Sequence, residues 1–330
     1  MSLREKISEV IENQICPIPE DKRDKLHKFY FAEYADNLVC PMSETHRAQY
    51  ARGNGGELEA QGNKPAKMAS LVSSSAMTFN LLGNDCVRIK AGETFGGGEY
   101  AVEYEKQMYT LTKGSNPANL DAFLFNAQSR EAVFCEMKML EWLGVPGRLK
   151  EAYLDRTYYF NDEAYKVFSE IAKALLHGEK NDRGYRARFN RYDAWQMLKH
   201  AMAIYNATSV VGMGGYNNRV TAMLDRSMAG CFRRIILANV VFELDATLIQ
   251  EEKTREKYVE ALQEEHDEAE QFIKAVLDSR YGLRELFEKH CGVDFSVMYI
   301  SAADFLGQMA KDEKELEQLR RYCGGQTTGT

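Results

Sequence analysis

The chain has 330 residues, 45% hydrophobic and 28% charged, the balance of a globular protein with apolar mass for one large domain or two smaller ones. A formal net charge of −7 excludes a molecule-wide basic field, so any nucleic-acid site has to be a local basic patch. The seven cysteines are odd in number, scattered and never spaced C-x-x-C, which argues against disulfide scaffolding, structural zinc or an iron–sulfur cluster and favours a reducing cytoplasm.

The start, M-S-L-R-E-K-I-S-E-V, is amphipathic without a signal-like apolar stretch, and no 18-residue apolar run occurs. The expectation is a cytoplasmic protein, neither secreted nor membrane-spanning. Leu3, Ile7, Val10 and Ile11 at helical spacing predict a helix over residues 3–15, stopped by Pro17 and Pro19. A second helix is expected over 20–37, with Phe29, Tyr30, Phe31 and Tyr34 serving the core and not base stacking. Residues 1–41 then form a helical segment packed on the main domain. Residues 42–70 are polar and glycine-rich. Ser73, Ser74 and Ser75 ahead of A-M-T-F-N-L-L read as a capped helix start, and with no G-x-S-x-G elbow they offer no nucleophile. G-E-T-F-G-G-G at 92–98 is a turn, because it lacks the G-K-[ST] ending of a phosphate loop and leads into a strand. That strand, over 99–111, places Glu99, Ala101, Glu103 and Glu105 on one face by the period of two.

Next come two short apolar runs, 120–125 and 132–137, around a polar turn at 126–131, the pattern of a largely buried β-hairpin. With the turn centred between Gln128 and Ser129, Asn126 faces Glu131 and Asp121 faces Glu136. Opposed residues of an antiparallel pair hold their Cβ atoms about 4.5–5.5 Å apart, and Lys138 shares the face of Glu136. Two carboxylates and an ammonium thus converge at the hairpin's open end. Buried charge has to be paired or bind metal, so this grouping is either a structural ion pair or a site for a hard cation such as Mg²⁺.

Beyond the hairpin, 150–159 and 163–176 read as helices, the second closed by Gly178. The run N-D-R-G-Y-R-A-R-F-N-R-Y-D at 181–193 interleaves Arg183, Arg186, Arg188 and Arg191 with aromatics, which suits phosphate contact or a solvated loop. A strongly apolar helix follows over 193–206, on which His200 is expected as a core residue and not a ligand. V-G-M-G-G-Y-N-N at 211–218 is a glycine loop without the context of a dinucleotide fingerprint. Residues 233–244 are the clearest buried strand. The helix over 254–277 has an acidic face expected in solvent. An edge strand over 293–300, a charged terminal helix and a disordered tail over 323–330 complete the chain, leaving 42–322 as the main domain.

Asp121 followed by Glu136-Met137-Lys138 on adjacent strands resembles the D…E-x-K signature of the PD-(D/E)xK, restriction-endonuclease-like nuclease superfamily. Leu120 stands where the family's proline would precede the aspartate. G-N-G-G-E-L (53–58), S-S-S-A-M-T-F-N-L-L (73–82), P-A-N-L-D (117–121), E-M-K-M-L-E (136–141) and Y-D-A-W-Q-M-L-K-H (192–200), in that order, are similar to one bacterial branch of the superfamily. The resemblance implies an α/β fold, a mixed β-sheet flanked by helices on both faces. It implies Mg²⁺ or Mn²⁺ held by Asp121, Glu136 and the Met137 backbone carbonyl, with Lys138 orienting the attacking water or accepting its proton. It also implies supporting roles for Glu57, on a helix bordering the metal site, for Glu103 as an extra acid, and for Gln196, brought in by a following helix. The competing readings are an exposed loop glutamate at 57 and a solvated edge at 103. The implied reaction is phosphodiester hydrolysis of DNA, with RNA as the alternative polymer, no membrane partner, and a homo-oligomer compatible with the sequence. A rival reading from another class is a non-catalytic module that grips nucleic acid or protein on the same fold.

Overall fold

The computed structural model describes residues 1–52, 56–113, 116–181, 183–211 and 227–325. Most of the glycine loop at 211–218, the first three residues of the 53–58 motif and the last five of the tail lie outside the described residues.

Four antiparallel strands come first: β1 (Cys86–Ile89), β2 (Gly98–Met108), β3 (Ala118–Asn126) and β4 (Glu131–Lys138). A separate two-stranded hairpin follows, β5 (Leu176–Asn181) with β6 (Gly184–Ala187). Then β7 (Arg234–Val241) and β8 (Asp294–Ser301) join β4 in parallel, giving the sheet order β1-β2-β3-β4-β7-β8. Parallel neighbours need long crossovers, and the helices travel in them. β7, R-I-I-L-A-N-V-V, is buried beyond its first residue, as a strand covered on both faces must be.

Two apolar layers sit on the two faces of this sheet. One gathers α1 (Leu3–Gln14), α3 (Ser74–Leu82) and α8 (Ala302–Gly307) through Ile7, Ile11, Phe79 and Phe305. The other gathers α4 (Asp162–Leu175), α5 (Ala194–Thr208) and α7 (Leu283–Cys291) through Phe168, Trp195, Tyr205 and Phe287. α6 (Glu252–Val276) serves both, with Tyr258 and Ala261 in the first layer and Phe272 and Val276 in the second. α2 (Glu44–Arg52) packs on β2, and α9 (Glu313–Leu319) closes the chain. The fold is therefore the mixed sheet with helices on both faces that the motifs implied.

Local chemistry explains several boundaries. α1 starts in a capping box, with Ser2 and Glu5 each satisfying the other's backbone N–H, worth about 1 kcal/mol. The β3–β4 turn is set by Asn126, whose side-chain oxygen accepts the N–H groups of Gln128 and Ser129, and by Arg130 at φ 56°.

Four expectations are corrected. Residues 20–37 form no long helix, only 3₁₀ turns at Glu20–Lys22 and Tyr34–Asn37. Tertiary partners take the backbone there: Asp24 caps Leu26 and His27, and the Phe31 N–H bonds Ala69. Residues 150–159 hold two 3₁₀ turns, Glu151–Leu154 and Arg156–Tyr158. Gly178 does not end α4 but lies inside β5. The acidic face of α6 is not wholly solvated, since Glu265 and Glu268 are buried; Glu268 accepts the backbone N–H groups of Asn190, Arg191 and Tyr192 at 2.7–3.0 Å. At the other end of the chain, Tyr322 and Cys323 are buried against the core.

Candidate active site

The β3–β4 register runs from Asn126↔Glu131 to Ala122↔Cys135. One step further out, Asp121 and Glu136 come opposite each other where the ladder has ended. The Met137 N–H is taken there by Asp121 Oδ2, at 2.6 Å, in place of a backbone carbonyl. Asp121 Oδ1 makes no hydrogen bond to a described residue.

Glu136 is 3% exposed and held on every side. Its Oε1 accepts from Lys138 Nζ at 2.6 Å and from Gln196 Nε2 at 2.7 Å, and its Oε2 lies 2.8 Å from His200 Nε2. Lys138 also donates to Gln196 Oε1 at 2.8 Å, so one amide spans the carboxylate and the ammonium. Burial works against ionising Glu136, yet Lys138 and His200 outweigh it and bring its pKa down to about 2. Burial likewise opposes charge on Lys138, but Glu136, Glu141 and Asp121 prevail and hold it above the usual lysine range. In this arrangement Lys138 donates to both Glu136 and Gln196.

Asp121 is the misfit. Burial first, then the charges of Glu136 and Glu105, push its carboxyl well above the ordinary aspartate range. Glu105 is itself raised to about 7, mainly by burial, while Asn119 donates to it. Glu105 entering here is a departure from simple alternation. Its φ of 52° breaks the pleat of β2, so that Glu105 and not Glu103 faces Asp121. Glu103 turns instead to Lys106, at 3.0 Å and more than a third exposed.

These groups line one cavity of about 460 Å³. Glu57 is there too, accepting from Ser75 Oγ at 2.7 Å and Lys67 Nζ at 2.8 Å. It sits in a bend and not on a helix, a departure from what the motif implied. Glu141, held by the Met139 N–H, completes a wall of five carboxylates (57, 105, 121, 136, 141) against three cations, Arg4, Lys67 and Lys138. Among the described residues, no three His, Cys, Asp or Glu side chains form a ready-made metal cage. The surplus of negative charge and the oxygen-only donor set nevertheless fit a hard divalent cation, which is commonly held by one or two carboxylates and keeps its own waters.

α5 supplies the support. Every residue of this helix is buried except Gln196 and Lys199, and Gln196, Lys199 and His200 share one face at i, i+3 and i+4. That face meets the open end of the hairpin. Sequence reasoning placed Gln196 but took His200 for a plain core residue; its spacing from Gln196 was the available signal. The arginines of 183–191 divide: Arg183, Arg186 and Arg188 are exposed on or beside the β5–β6 hairpin, whereas Arg191 is tied to Glu264 at 3.1 Å and to the Leu143 carbonyl. Phe189 and Tyr192 beside them are core residues and present no stacking surface.

A mixed six-stranded sheet carrying an aspartate and an E-x-K tripeptide at the open end of its central hairpin defines a restriction-endonuclease-like protein. Over residues 8–282 the chain matches the family described as Restriction Endonuclease associating with ARP, and it belongs to that family. No curated protein and no solved structure matches the chain. Family membership points to nuclease activity, with DNA as substrate or partner. Among the described residues, no helix is long and apolar enough to cross a membrane.

Proposed function

We propose that the protein hydrolyses DNA phosphodiesters with the help of Mg²⁺ or Mn²⁺, using Asp121, Glu136 and Lys138. The observation that carries this reading is the convergence of Asp121, Glu136 and Glu105 in one cavity, with fewer cations than acids to neutralise them. Asp121 and Glu136 would hold the ion. Met137 would add its carbonyl: its N–H points at Asp121, and the two backbone polar groups of a strand residue face the same neighbouring strand. Bound there, a divalent ion lowers the pKa of a water and stabilises charge building on the phosphorus oxygens.

The protein's own groups do the rest. Lys138 would orient that water or, with the charge of the bound ion beside it, accept the proton the water gives up. Gln196 and His200 fix the Glu136 carboxylate, so its lone pairs need no reorganisation during reaction. Glu57 and Glu105 add negative charge that favours cation entry. The test is nicking of supercoiled plasmid in Mg²⁺, Mn²⁺ or EDTA by the parent, Asp121→Asn and Lys138→Ala proteins. Metal-dependent nicking lost in both variants supports the reading. A parent that cuts neither DNA nor RNA with either metal moves the fold to a binding module.

A further inference from the structure

A second cavity, of about 370 Å³, opens beside the catalytic one and shares Asn119 and Gln196 with it. Its chemistry is the reverse. Arg148, Lys150 and Lys199 line it, brought together from the segment after β4 and from α5. Among the described residues, neither the Lys150 nor the Lys199 ammonium has an ion-pair or hydrogen-bond partner, and the Arg148 guanidinium meets only the Gly184 carbonyl, at 3.4 Å. The one carboxylate on its wall, Asp193, is occupied as the cap of α5, accepting the N–H groups of Gln196 and Gly147. His200 lines the same space; its Nε2 is on Glu136, and its buried Nδ1 has no hydrogen-bond partner.

Unpaired positive charge in a concave, partly dry place is costly to keep. Burial pushes Lys199 below the ordinary lysine range, so the fold itself bears part of that cost. An anion would relieve it. The guanidinium of Arg148 suits two phosphate oxygens at once, and the ammonium groups of Lys150 and Lys199 act as point charges beside it.

We infer that this cavity, lined by Arg148, Lys150 and Lys199, seats a backbone phosphate of the nucleic-acid strand adjacent to the one being cut. The inference rests on the phosphodiesterase reading and deepens it, because it gives the substrate strand a path along α5 from the acidic cavity into the basic one. Lys199 and Gln196, the two incompletely buried residues of α5, then divide the work: one meets the strand and the other orders the acids.

The experiment uses the Asp121→Asn protein, expected to bind with cleavage strongly slowed, alone and combined with Lys150→Gln/Lys199→Met or with Arg148→Gln. Binding of closed circular DNA is titrated across a salt series. The expected result is affinity lower by about tenfold or more, with a log–log salt slope shallower by roughly 1 for each phosphate no longer neutralised. In the catalytically intact background KM should rise more than kcat falls, at a thermal midpoint that holds or rises. Lys150→Gln alone alters an exposed side chain and keeps the test readable should Lys199→Met unfold the protein. Unchanged affinity and slope in every variant overturn the inference while leaving nuclease activity standing. Loss confined to linear DNA with a 5′-phosphate, and absent from closed circles, assigns the cavity to a terminal phosphate and overturns the backbone assignment. A parent that binds no nucleic acid sinks both readings.

Discussion

β4 carries a buried glutamate at each end, Glu131 at the closed end of the hairpin and Glu136 at the open end, each 3% exposed. Glu131 accepts from Gly96 N–H at 3.0 Å, Tyr100 Oη at 2.5 Å and Arg234 at 3.0 Å: one charge, one cation and two neutral donors. Glu136 has as many partners, yet it shares its cavity with Asp121 and Glu105. Burial alone does not mark a functional carboxylate. What separates the two ends is whether a neighbour leaves negative charge uncompensated, and only the open end does so.

The largest effect should come from removing that surplus. Asp121→Asn should lower the cleavage rate by at least roughly a hundredfold, in line with losing one group aimed at the reacting centre. Its thermal midpoint should hold or rise, because a repulsive charge is gone. A variant that cuts normally, or that melts well below the parent, would make the open end structural like the closed one.

At the closed end the expectation is inverted. Glu131→Ala strands the Arg234 guanidinium, the Gly96 N–H and the Tyr100 hydroxyl, and should cost about 2–3 kcal/mol in urea unfolding. Arg234 reaches solvent, which keeps the loss below that of a fully enclosed pair. Cleavage per folded molecule should be unaffected.

A third buried glutamate sharpens the contrast further. Glu265 is 2% exposed, its Oε2 has no hydrogen-bond partner, and burial, with Glu268 adding to it, raises its pKa from 4.5 to about 8. The folded state therefore binds this proton more tightly than the unfolded chain. Its contribution is complete below about pH 4.5 and is lost as pH rises towards 8. Glu265→Gln should flatten the fall in the free energy of urea unfolding between pH 5 and pH 9, by about 1–2 kcal/mol. Parallel pH profiles for parent and variant would remove Glu265 from the comparison.

The smallest change concerns the support of Glu136. His200→Gln keeps a donor in a shorter frame and should reduce kcat about tenfold with little change in KM, the usual scale for a group that orients a ligand. Wild-type kcat in that variant would show that Lys138 and Gln196 suffice to hold the carboxylate.

Much of the site was legible before any coordinates. The polar turn at 126–131, centred between Gln128 and Ser129, and the period of two set which residues oppose, so Asp121 and Glu136 could be paired by counting outward. The apolar run of β7 announced its central place, apolar spacing marked α1, and the serines at 73–75 marked the start of α3. These features depend on neighbours a few residues apart, and local sequence carries that information. Other features depend on partners far along the chain. The positive φ of Glu105 exchanged one acid for another, and nothing in E-Y-E-K announces it. Residues 20–37 look helical, but Ala69 competes successfully for their backbone. Arg148 and Lys199 stand half a hundred positions apart and become one cavity wall only when α5 docks on the hairpin. The sequence by itself determined five strands of the large sheet (β2, β3, β4, β7 and β8), the register of the hairpin and the two acids it brings together, but not β1 or the β5–β6 pair; tertiary packing decided which charges are left without a partner, because that balance is struck between elements and not within any one of them.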